Sequence, residues 1–311
     1  MQIKVLGSAA GGGFPQWNCA CPNCRSLRAG TFHGKPRTQA QVALGVDSEH
    51  WFLLGASPDL RTQIESTPEL HPHAKDNSTR HSPICGAVLL NADIDHILGL
   101  LLMRELQPLQ ICATNAVRQI IEDNSMFAML QRVQGQLSWT SISLNEWFAL
   151  HSPSRNQVAV RCRTVSLGTH FPAYIPEKRI SHLDTKEASL GLIVEAPSGK
   201  RLAFMPAVPQ ITDELSSELD HVDVLLFDGT FWGDDELIRI QGSGQTAQQM
   251  GHVPVSSPTG SLAQLAHLKR PRKIYVHINN TNPMLKEDSP EYRQVREAGW
   301  EVAEDGWQFE L

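Results

Sequence analysis

The segment Asn91-Ala92-Asp93-Ile94-Asp95-His96 places polar side chains at its first, third, fifth and sixth positions. The continuous apolar run 84–90 before it predicts a buried strand, and residues 97–106 after it have a helix-forming composition. A loop between a buried strand and a helix is where α/β folds usually bind ligands, so Asp95 and His96 are candidate metal ligands. The alternative is a solvated acidic turn in which an aspartate caps the helix.

Two later strands end in residues that could complete such a site. Residues 222–227 are apolar except for Asp223 and run directly into Asp228, and a second buried strand is expected to end at His277. Each has a structural alternative, a strand-ending turn for the aspartate and a hydrogen-bonded core residue for the histidine. His252 follows a polar stretch rich in Gly and Gln, and it is either a general acid or base beside a metal or an exposed loop histidine.

These side chains define a candidate ligand set of two imidazoles and two carboxylates, which suits Fe²⁺, Mn²⁺ or Zn²⁺. The set consists of Asp95, His96, Asp228 and His277. Two histidines and a carboxylate with open coordination positions also match a non-haem Fe²⁺ centre that activates O₂, so iron is the favoured metal. Asp93 is a further catalytic candidate, and His170 is a further ligand candidate whose spacing is loose.

A separate cluster of cysteines lies near the start of the chain. Three thiols fall within six residues, at Cys19, Cys21 and Cys24, and three thiolates so close together can wrap one structural Zn²⁺. Free thiols are the alternative. The fourth ligand is open between His33, Asp59 and a group near Asn280. The remaining cysteines lie in apolar stretches and are expected to be buried thiols; they are Cys85, Cys112 and Cys162.

Composition and charge narrow the class of protein. The chain has 311 residues, 41% of them hydrophobic and 19% charged, which is enough to bury a full core. A net charge of -6, with no long run of either sign, argues against a nucleic-acid partner. Because no run of about 18 apolar residues or signal segment is present, we expect a cytoplasmic protein without a membrane span. We predict a single domain over residues 1–311 with a surface insertion at 65–83.

The remaining pattern alternates strands and helices, with hairpins mixed among them, which favours an α/β fold with mixed sheets. The helical period predicts a helix over residues 115–132. Residues 300–311 alternate in polarity around Asp305-Gly306, a dipeptide that favours tight turns, so we expect a terminal hairpin.

Several motifs together resemble the coenzyme PQQ (pyrroloquinoline quinone) biosynthesis protein B family of the metallo-β-lactamase superfamily, over essentially the whole chain. They are residues 6–19, Ala56-Ser57-Pro58-Asp59, Ile94-Asp95-His96, Asp228-Gly229-Thr230, Gly251-His252 and residues 277–283. The resemblance implies an αββα sandwich of two mixed sheets flanked by helices. The superfamily signature His-x-His-x-Asp-His is only half present, because Asn91 and Asp93 stand where its first two histidines belong. The two-zinc hydrolase arrangement of the superfamily should therefore be disrupted, because one metal of the pair depends on those histidines, and we expect a single metal.

The resemblance also implies a role in making PQQ. One reading is an iron-dependent oxygenase that uses O₂ to hydroxylate the tyrosine ring of a Glu-Tyr-derived precursor, with the other PQQ biosynthesis proteins as partners. The other reading is a carrier that moves PQQ or its precursor to the periplasm and keeps a vestigial metal site. An open mononuclear site favours the oxygenase, since a carrier needs no inward-directed ligands.

Overall fold

A computed structural model of the protein describes residues 1–73, 79–152 and 157–311. The strands in these residues fall into two sheets of seven. They are β1 (Gln2–Gly7), β2 (Gln41–Gly45), β3 (Trp51–Leu54), β4 (Ile84–Val88), β5 (Leu109–Ala113), β6 (Leu137–Ser141), β7 (Trp147–His151), β8 (Gln157–Gly168), β9 (Ser189–Glu195), β10 (Arg201–Met205), β11 (Val224–Asp228), β12 (Arg272–Val276), β13 (Trp300–Val302) and β14 (Gln308–Glu310).

Helices and short 3₁₀ turns connect the strands. The α-helices are α1 (Pro22–Arg28), α2 (Leu60–Glu65), α3 (Ile94–Ile97), α4 (Asn115–Asp123), α5 (Glu177–Ile180), α6 (Asp213–Leu219), α7 (Glu236–Gln241), α8 (Ser261–Gln264) and α9 (Pro290–Glu297). The 3₁₀ turns are Pro68–Leu70, Leu98–Met103, Ser125–Gln131, Thr185–Glu187, Gln248–Met250 and Pro283–Leu285. No helix in the described part of the chain combines the length and the apolar character that a membrane crossing needs. The cytoplasmic location stays a prediction.

The chain divides into two compact units, and neither is continuous in sequence. Unit 1 comprises Met1–Leu6, Gln41–Gly199 and Gly306–Leu311, and unit 2 comprises Gly7–Ala40 and Lys200–Asp305. The prediction of a single domain over residues 1–311 stays a prediction.

Unit 1 contains one complete sheet, in the order β14-β1-β2-β3-β4-β5-β6. Strands β3 to β6 run parallel, whereas β2 and β3 form an antiparallel hairpin, so the sheet is mixed. All residues of β4 are buried, as expected for a parallel strand that is covered on both faces. Helix α4 packs its apolar stripe into the same core, with Val117 and Ile121 buried one turn apart. The unit also carries the antiparallel run β7-β8-β9.

Unit 2 is built on four parallel strands, β10 to β13. Its core includes Tyr275, whose ring stacks on that of Trp300 at a centroid distance of 4.2 Å, while Phe227 meets the same indole edge-on. Such offset and edge-to-face aromatic contacts add to the stabilisation that burial alone provides. The strands that carry Asp228 and His277 are thus held by large buried side chains.

The strands predicted over residues 84–90 and 222–227 are confirmed by β4 and β11. The helix predicted over 97–106 begins earlier, as α3, and continues as a 3₁₀ turn. The helix predicted over 115–132 is split in the same way into α4 and the turn Ser125–Gln131. Residues 74–78 of the predicted insertion at 65–83 lie outside the described residues.

The predicted terminal hairpin is wrong. Strand β13 pairs in parallel with β12, whereas β14 pairs antiparallel with β1. The carboxylate of Asp305 accepts hydrogen bonds from the backbone and hydroxyl of Thr38 and from the hydroxyl of Ser8. The aspartate that suggested a hairpin turn is therefore used to fix other loops of unit 2.

Candidate metal centre

Parallel pairing of β11 and β12 brings two predicted ligands to one edge of the unit 2 sheet. Asp228 is the last residue of β11 and is paired in register with Val276, so His277 follows immediately at the same edge. The carboxylate residue is fully buried and the histidine is 6% exposed. Carboxyl ends of parallel strands are the usual position for ligand-binding groups in α/β folds.

The carboxylate of Asp228 accepts a dense set of hydrogen bonds. One oxygen receives the backbone N–H of Val208 at 2.8 Å and lies 2.8 Å from Nδ1 of His252; the other receives the backbone N–H and hydroxyl of Thr230 at 3.0 and 2.6 Å. Burial by itself would raise the pKa of Asp228, but His252, His277 and the hydrogen bond from Thr230 outweigh burial and lower the pKa overall. The side chain is therefore held as a carboxylate, the form that binds metal.

The imidazoles of His252 and His277 stack beside this carboxylate, with ring centroids 5.4 Å apart and planes inclined by 22°. Each of the three side chains offers a ligand atom, and these atoms all lie within 4.8 Å of one another. We call Asp228, His252 and His277 the Asp228 cluster. Two imidazoles and one carboxylate that lie buried and close together are chemically suited to a mid-row divalent ion. His252 thus lies in the site, and the exposed-loop alternative for it is wrong.

Thr230 is a site residue that the sequence reasoning missed. Its hydroxyl oxygen lies 2.8 Å from Nδ1 of His277 and 3.1 Å from Nδ1 of His252, in addition to its contact with Asp228. The preceding Gly229 lets the chain pass close to Tyr275, because an added Cβ would lie 2.8 Å from Cβ of that residue. The tripeptide Asp-Gly-Thr after a buried strand was the available signal.

His277 itself has a left-handed backbone, with φ of 55°, which is costly for a residue other than glycine. Its neighbours fix this conformation. The N–H of Ile278 donates to the carbonyl of Ser8 at 2.9 Å, and the N–H of Asn279 donates to the carbonyl of Thr230 at 3.0 Å. Backbone strain that surrounding contacts hold in place is typical of functional sites.

The predicted loop of unit 1 lies at the end of β4, as expected. His96 is buried, and its Nε2 lies 3.8 Å from a carboxylate oxygen of Asp95. Asp93 occupies the N-cap position of α3, but its side chain makes no capping hydrogen bond, contrary to the helix-cap alternative. Burial, together with the charge of Asp93, raises the pKa of Tyr174 to about 12, and the phenol donates to the carbonyl of Ala92.

The three predicted thiols of the other site also come together. Ligand atoms of Cys19, Cys21 and Cys24, which we call the cysteine clip, lie within 4.8 Å of one another at the start of α1. Burial raises the pKa of Cys21 to about 12, whereas at Cys19 hydrogen bonds from Cys21 and Asn280 outweigh burial and lower the pKa. Because one thiol resists ionisation, a bound cation is needed to hold all three as thiolates.

Three candidate metal ligands from the sequence lie in no group of potential ligands in the described part of the chain. Within the described residues, the group of metal-binding side chains at the clip contains neither His33 nor Asp59. His33 is exposed, and Asp59 occupies the N-cap position of α2. His170 is also exposed and belongs to no group of potential metal ligands in that same part of the chain.

The fold and these two sites define a protein of the β-lactamase superfamily. The family described as beta-lactamase superfamily domain matches residues 50–278. A diphosphatase of the PhnP family has a similar fold, with a TM-score of 0.65, 17% identity, and coverage of 100% of this chain and 97% of that one. The metallo-β-lactamase fold predicted from the sequence is confirmed.

Closer relatives specify the family. The coenzyme PQQ synthesis protein B of Methylobacterium sp. (strain 4-46) is 42% identical over 306 residues, which cover 98% of each chain. The crystal structure of Zn²⁺-bound PqqB from Methylobacterium extorquens matches with a TM-score of 0.90 and 39% identity over 100% of both chains. The chain belongs to the coenzyme PQQ synthesis protein B family.

Proposed function

We propose that this protein acts in PQQ synthesis as an iron-dependent oxygenase that hydroxylates the tyrosine ring of a Glu-Tyr-derived precursor. The observation that carries the proposal is the Asp228 cluster, in which the Asp228 carboxylate and the His277 imidazole lie buried beside a second imidazole, that of His252. Together with His96, Asp228 and His277 would supply the two histidines and one carboxylate that non-haem Fe²⁺ oxygenases use, which leaves His252 for proton transfer. A carrier of PQQ would have no need of this donor set.

The proposed iron ligands are the four residues predicted from the sequence: Asp95, His96, Asp228 and His277. Zn²⁺ and Mn²⁺ are the alternative occupants. We assign His252 to proton transfer, because its Nδ1 already lies 2.8 Å from the Asp228 carboxylate and its ring is 8% exposed. Asp93 is proposed as a second catalytic group, because it lies in the same loop as Asp95 and His96.

The residues at the superfamily's missing histidine positions support a single metal. Asn91 is buried, and its side-chain oxygen accepts the backbone N–H of Asp93 at 3.2 Å. An amide engaged in this local turn does not replace an imidazole ligand, so the donors for a second hydrolytic zinc are lacking. Hydrolysis is accordingly the weaker assignment.

Bound iron would supply the activation of O₂, which the amino-acid side chains cannot provide. In the net reaction one oxygen atom enters the aromatic C–H bond and the other leaves as water. The balance requires two protons and two electrons from an external reductant. The protein's own residues would hold the precursor's ring and move protons at His252.

We also propose that the cysteine clip binds a structural Zn²⁺. The clip's three sulfurs are close enough to share one ion, and the relative from Methylobacterium extorquens is described as Zn²⁺-bound. On this proposal the two sites differ in role, one supporting the fold and the other the reaction.

The test is a single-turnover assay with Fe²⁺, O₂, ascorbate as reductant and a cross-linked Glu-Tyr diamino acid. Wild type should add one oxygen atom to the substrate, detected by mass, and ¹⁸O₂ should label it. His96→Ala should abolish the addition, whereas His170→Ala, which changes an exposed histidine, should keep it. Equal turnover by wild type and His96→Ala would refute the oxygenase. Stoichiometric binding of unchanged PQQ would instead favour a carrier.

A further inference from the structure

One half-exposed aromatic side chain borders the loop that carries Asp93, Asp95 and His96. It is Tyr174, which lies in the segment 169–188 between β8 and β9 and is 41% exposed. Resting on the oxygenase function proposed above, we infer that Tyr174 binds the substrate, with the exposed face of its ring packed against the aromatic ring that is hydroxylated. Tyr174 is then a residue that selects an aromatic substrate and positions it beside the metal-ligand loop.

The phenol of Tyr174 fixes the direction of this ring. Its hydroxyl donates to the carbonyl of Ala92 at 2.5 Å, so the tip of the ring lies against the backbone between Asn91 and Asp93. Burial and the charge of Asp93 raise the pKa of the phenol to about 12, so the hydroxyl remains a hydrogen-bond donor. Because the protein itself uses this donor, the ring face is the part of Tyr174 that is left for a ligand.

The segment that carries Tyr174 is fixed to the core of unit 1. The next residue, Ile175, is 8% exposed and belongs to the core, as does Leu183. Just beyond the segment, the N–H of Leu190 donates to the carbonyl of Leu90 at 2.9 Å. The ring is therefore held in place before a ligand arrives, which lowers the entropic cost of binding.

The loop beside Tyr174 offers both apolar and acidic surface. Ile94 is 54% exposed, although it lies between Asp93 and Asp95. Aromatic rings pack on one another edge-on or with an offset, and these pairs add to the stabilisation that burial alone provides. Ammonium groups bind to carboxylates through charge-assisted hydrogen bonds. A tyrosine-derived diamino acid matches this surface, because it has one aromatic ring and two ammonium groups.

The experiment measures binding apart from turnover. Full-length protein is loaded with Fe²⁺ without O₂ or reductant, and calorimetry gives the Kd of the cross-linked Glu-Tyr diamino acid for wild type, Tyr174→Phe and Tyr174→Leu. An analogue in which the aromatic ring is reduced to cyclohexane is titrated in parallel. Circular dichroism and iron content confirm that each variant is folded and loaded.

Trp147→Leu is the matched control. Trp147 is also an aromatic residue of unit 1 and is 37% exposed, but its ring faces the guanidinium groups of Arg161 and Arg163. The control variant therefore loses an exposed aromatic ring that is not beside the metal-ligand loop, and its Kd should equal that of wild type.

We expect Tyr174→Leu to raise the Kd of the aromatic compound by about tenfold, because the ring contact is lost. Tyr174→Phe keeps the ring and should stay within about threefold of wild type. For the cyclohexane analogue, wild type and Tyr174→Leu should differ by less than about threefold, since no pair of aromatic rings is present. In turnover, Tyr174→Leu should raise KM and leave kcat nearly unchanged.

Three results overturn the inference. An unchanged Kd in Tyr174→Leu shows that the ring does not bind the substrate. Equal weakening in Tyr174→Phe and Tyr174→Leu shows that the hydrogen bond to Ala92, and not the ring, is responsible. Equal weakening for the aromatic compound and its cyclohexane analogue shows that Tyr174 only supports the loop.

Failure of the underlying function gives a different result. If wild type binds the diamino acid but adds no oxygen when O₂ and ascorbate are supplied, the oxygenase is refuted, and the Kd values still decide the role of Tyr174. If wild type does not bind the diamino acid, the proposed substrate is wrong and the assignment of Tyr174 fails with it.

Discussion

The cysteine clip and the Asp228 cluster both gather groups able to hold a metal, but the chain assembles them in opposite ways. The clip's sulfurs lie within six residues of sequence. The members of the cluster are 24 and 25 residues apart along the chain; parallel strands with a common register bring Asp228 and His277 together, and His252 joins them from a loop. A local site depends on one turn, whereas a distributed site depends on the sheet.

This difference has an energetic consequence. The cluster's carboxylate is wholly buried and accepts hydrogen bonds from three other residues, so it is part of the fold even without an ion. In the clip, burial raises the pKa of the Cys21 thiol to about 12. With the proposed Zn²⁺ bound, the clip should depend on that ion for its stability, whereas the cluster should depend mainly on its own hydrogen bonds.

The largest expected effect comes from Asp228→Ala. Removing the carboxylate leaves the buried N–H groups of Val208 and Thr230 without their acceptor, which should lower the free energy of unfolding by about 3 kcal/mol or more. Metal binding at the cluster should be lost as well. Denaturant unfolding and metal analysis provide the measurements.

Asp235→Ala is the control for that comparison, because its carboxylate pairs with Arg239 on the surface. The control should change the free energy of unfolding by less than about 0.5 kcal/mol. If Asp228→Ala loses metal yet unfolds like the control, the hydrogen bonds of the cluster contribute little to the fold, and the contrast with the clip disappears.

The next effect concerns Glu236, a buried residue that contacts Thr281 in the segment after His277. Its carboxylate accepts the hydroxyl of Thr281 and the backbone N–H of Trp232, and burial raises its pKa to about 7. Because the folded pKa lies above the unfolded one, stability is greatest below the unfolded value near 4.5 and falls as the pH rises toward 7. The loss should approach about 3 kcal/mol.

Glu236→Gln removes this titration but places an amide N–H₂ where one acceptor stood, at a cost of about 1 kcal/mol. The variant should be less stable than wild type at pH 4 and more stable by about 2 kcal/mol at pH 8, as measured by urea unfolding. Glu297→Gln, at an exposed position, should show no such crossing. A constant difference across this pH range would contradict the raised pKa of Glu236.

How much the sequence could predict follows the same division between local and distributed features. The clip could be predicted because the spacing of its cysteines alone brings the sulfurs together. Asp228 and His277 could be predicted because each follows an apolar strand. The partial superfamily signature indicated the fold in which those strands are aligned. His252 could be named as a candidate, but its position beside Asp228 could not be predicted, because no local sequence feature indicates that a loop histidine contacts a distant carboxylate.

Other residues required the three-dimensional structure. Thr230 acts through contacts with three side chains that come from separate segments, and its identity alone predicts only a turn. For the fourth ligand of the clip, the sequence indicated only a group near Asn280, because no spacing rule predicts contact with sulfurs about 260 residues earlier. The prediction of a terminal hairpin was wrong for the same reason, because Asp305 accepts hydrogen bonds from a residue that is distant in sequence, Thr38.

The smallest effect comes from Thr230, and it sharpens the comparison most directly. Thr230→Val keeps the side-chain shape but removes the hydroxyl that lies between Asp228 and His277. Orienting contacts of this kind typically contribute about 10- to 100-fold in metal affinity, so the cluster's affinity should fall by about tenfold. The clip should be unaffected. Competition with a chromophoric chelator measures the affinity.

Two controls separate orientation from the loss of a buried hydroxyl. Thr230→Ser restores the hydroxyl and should recover most of the affinity. Thr164→Val removes a buried hydroxyl from unit 1, where it donates to the carbonyl of Ser143, and should not change metal affinity. If all three variants bind metal as wild type does, the hydroxyl does not orient the ligands. The carboxylate and the strand register alone would then suffice to build the site.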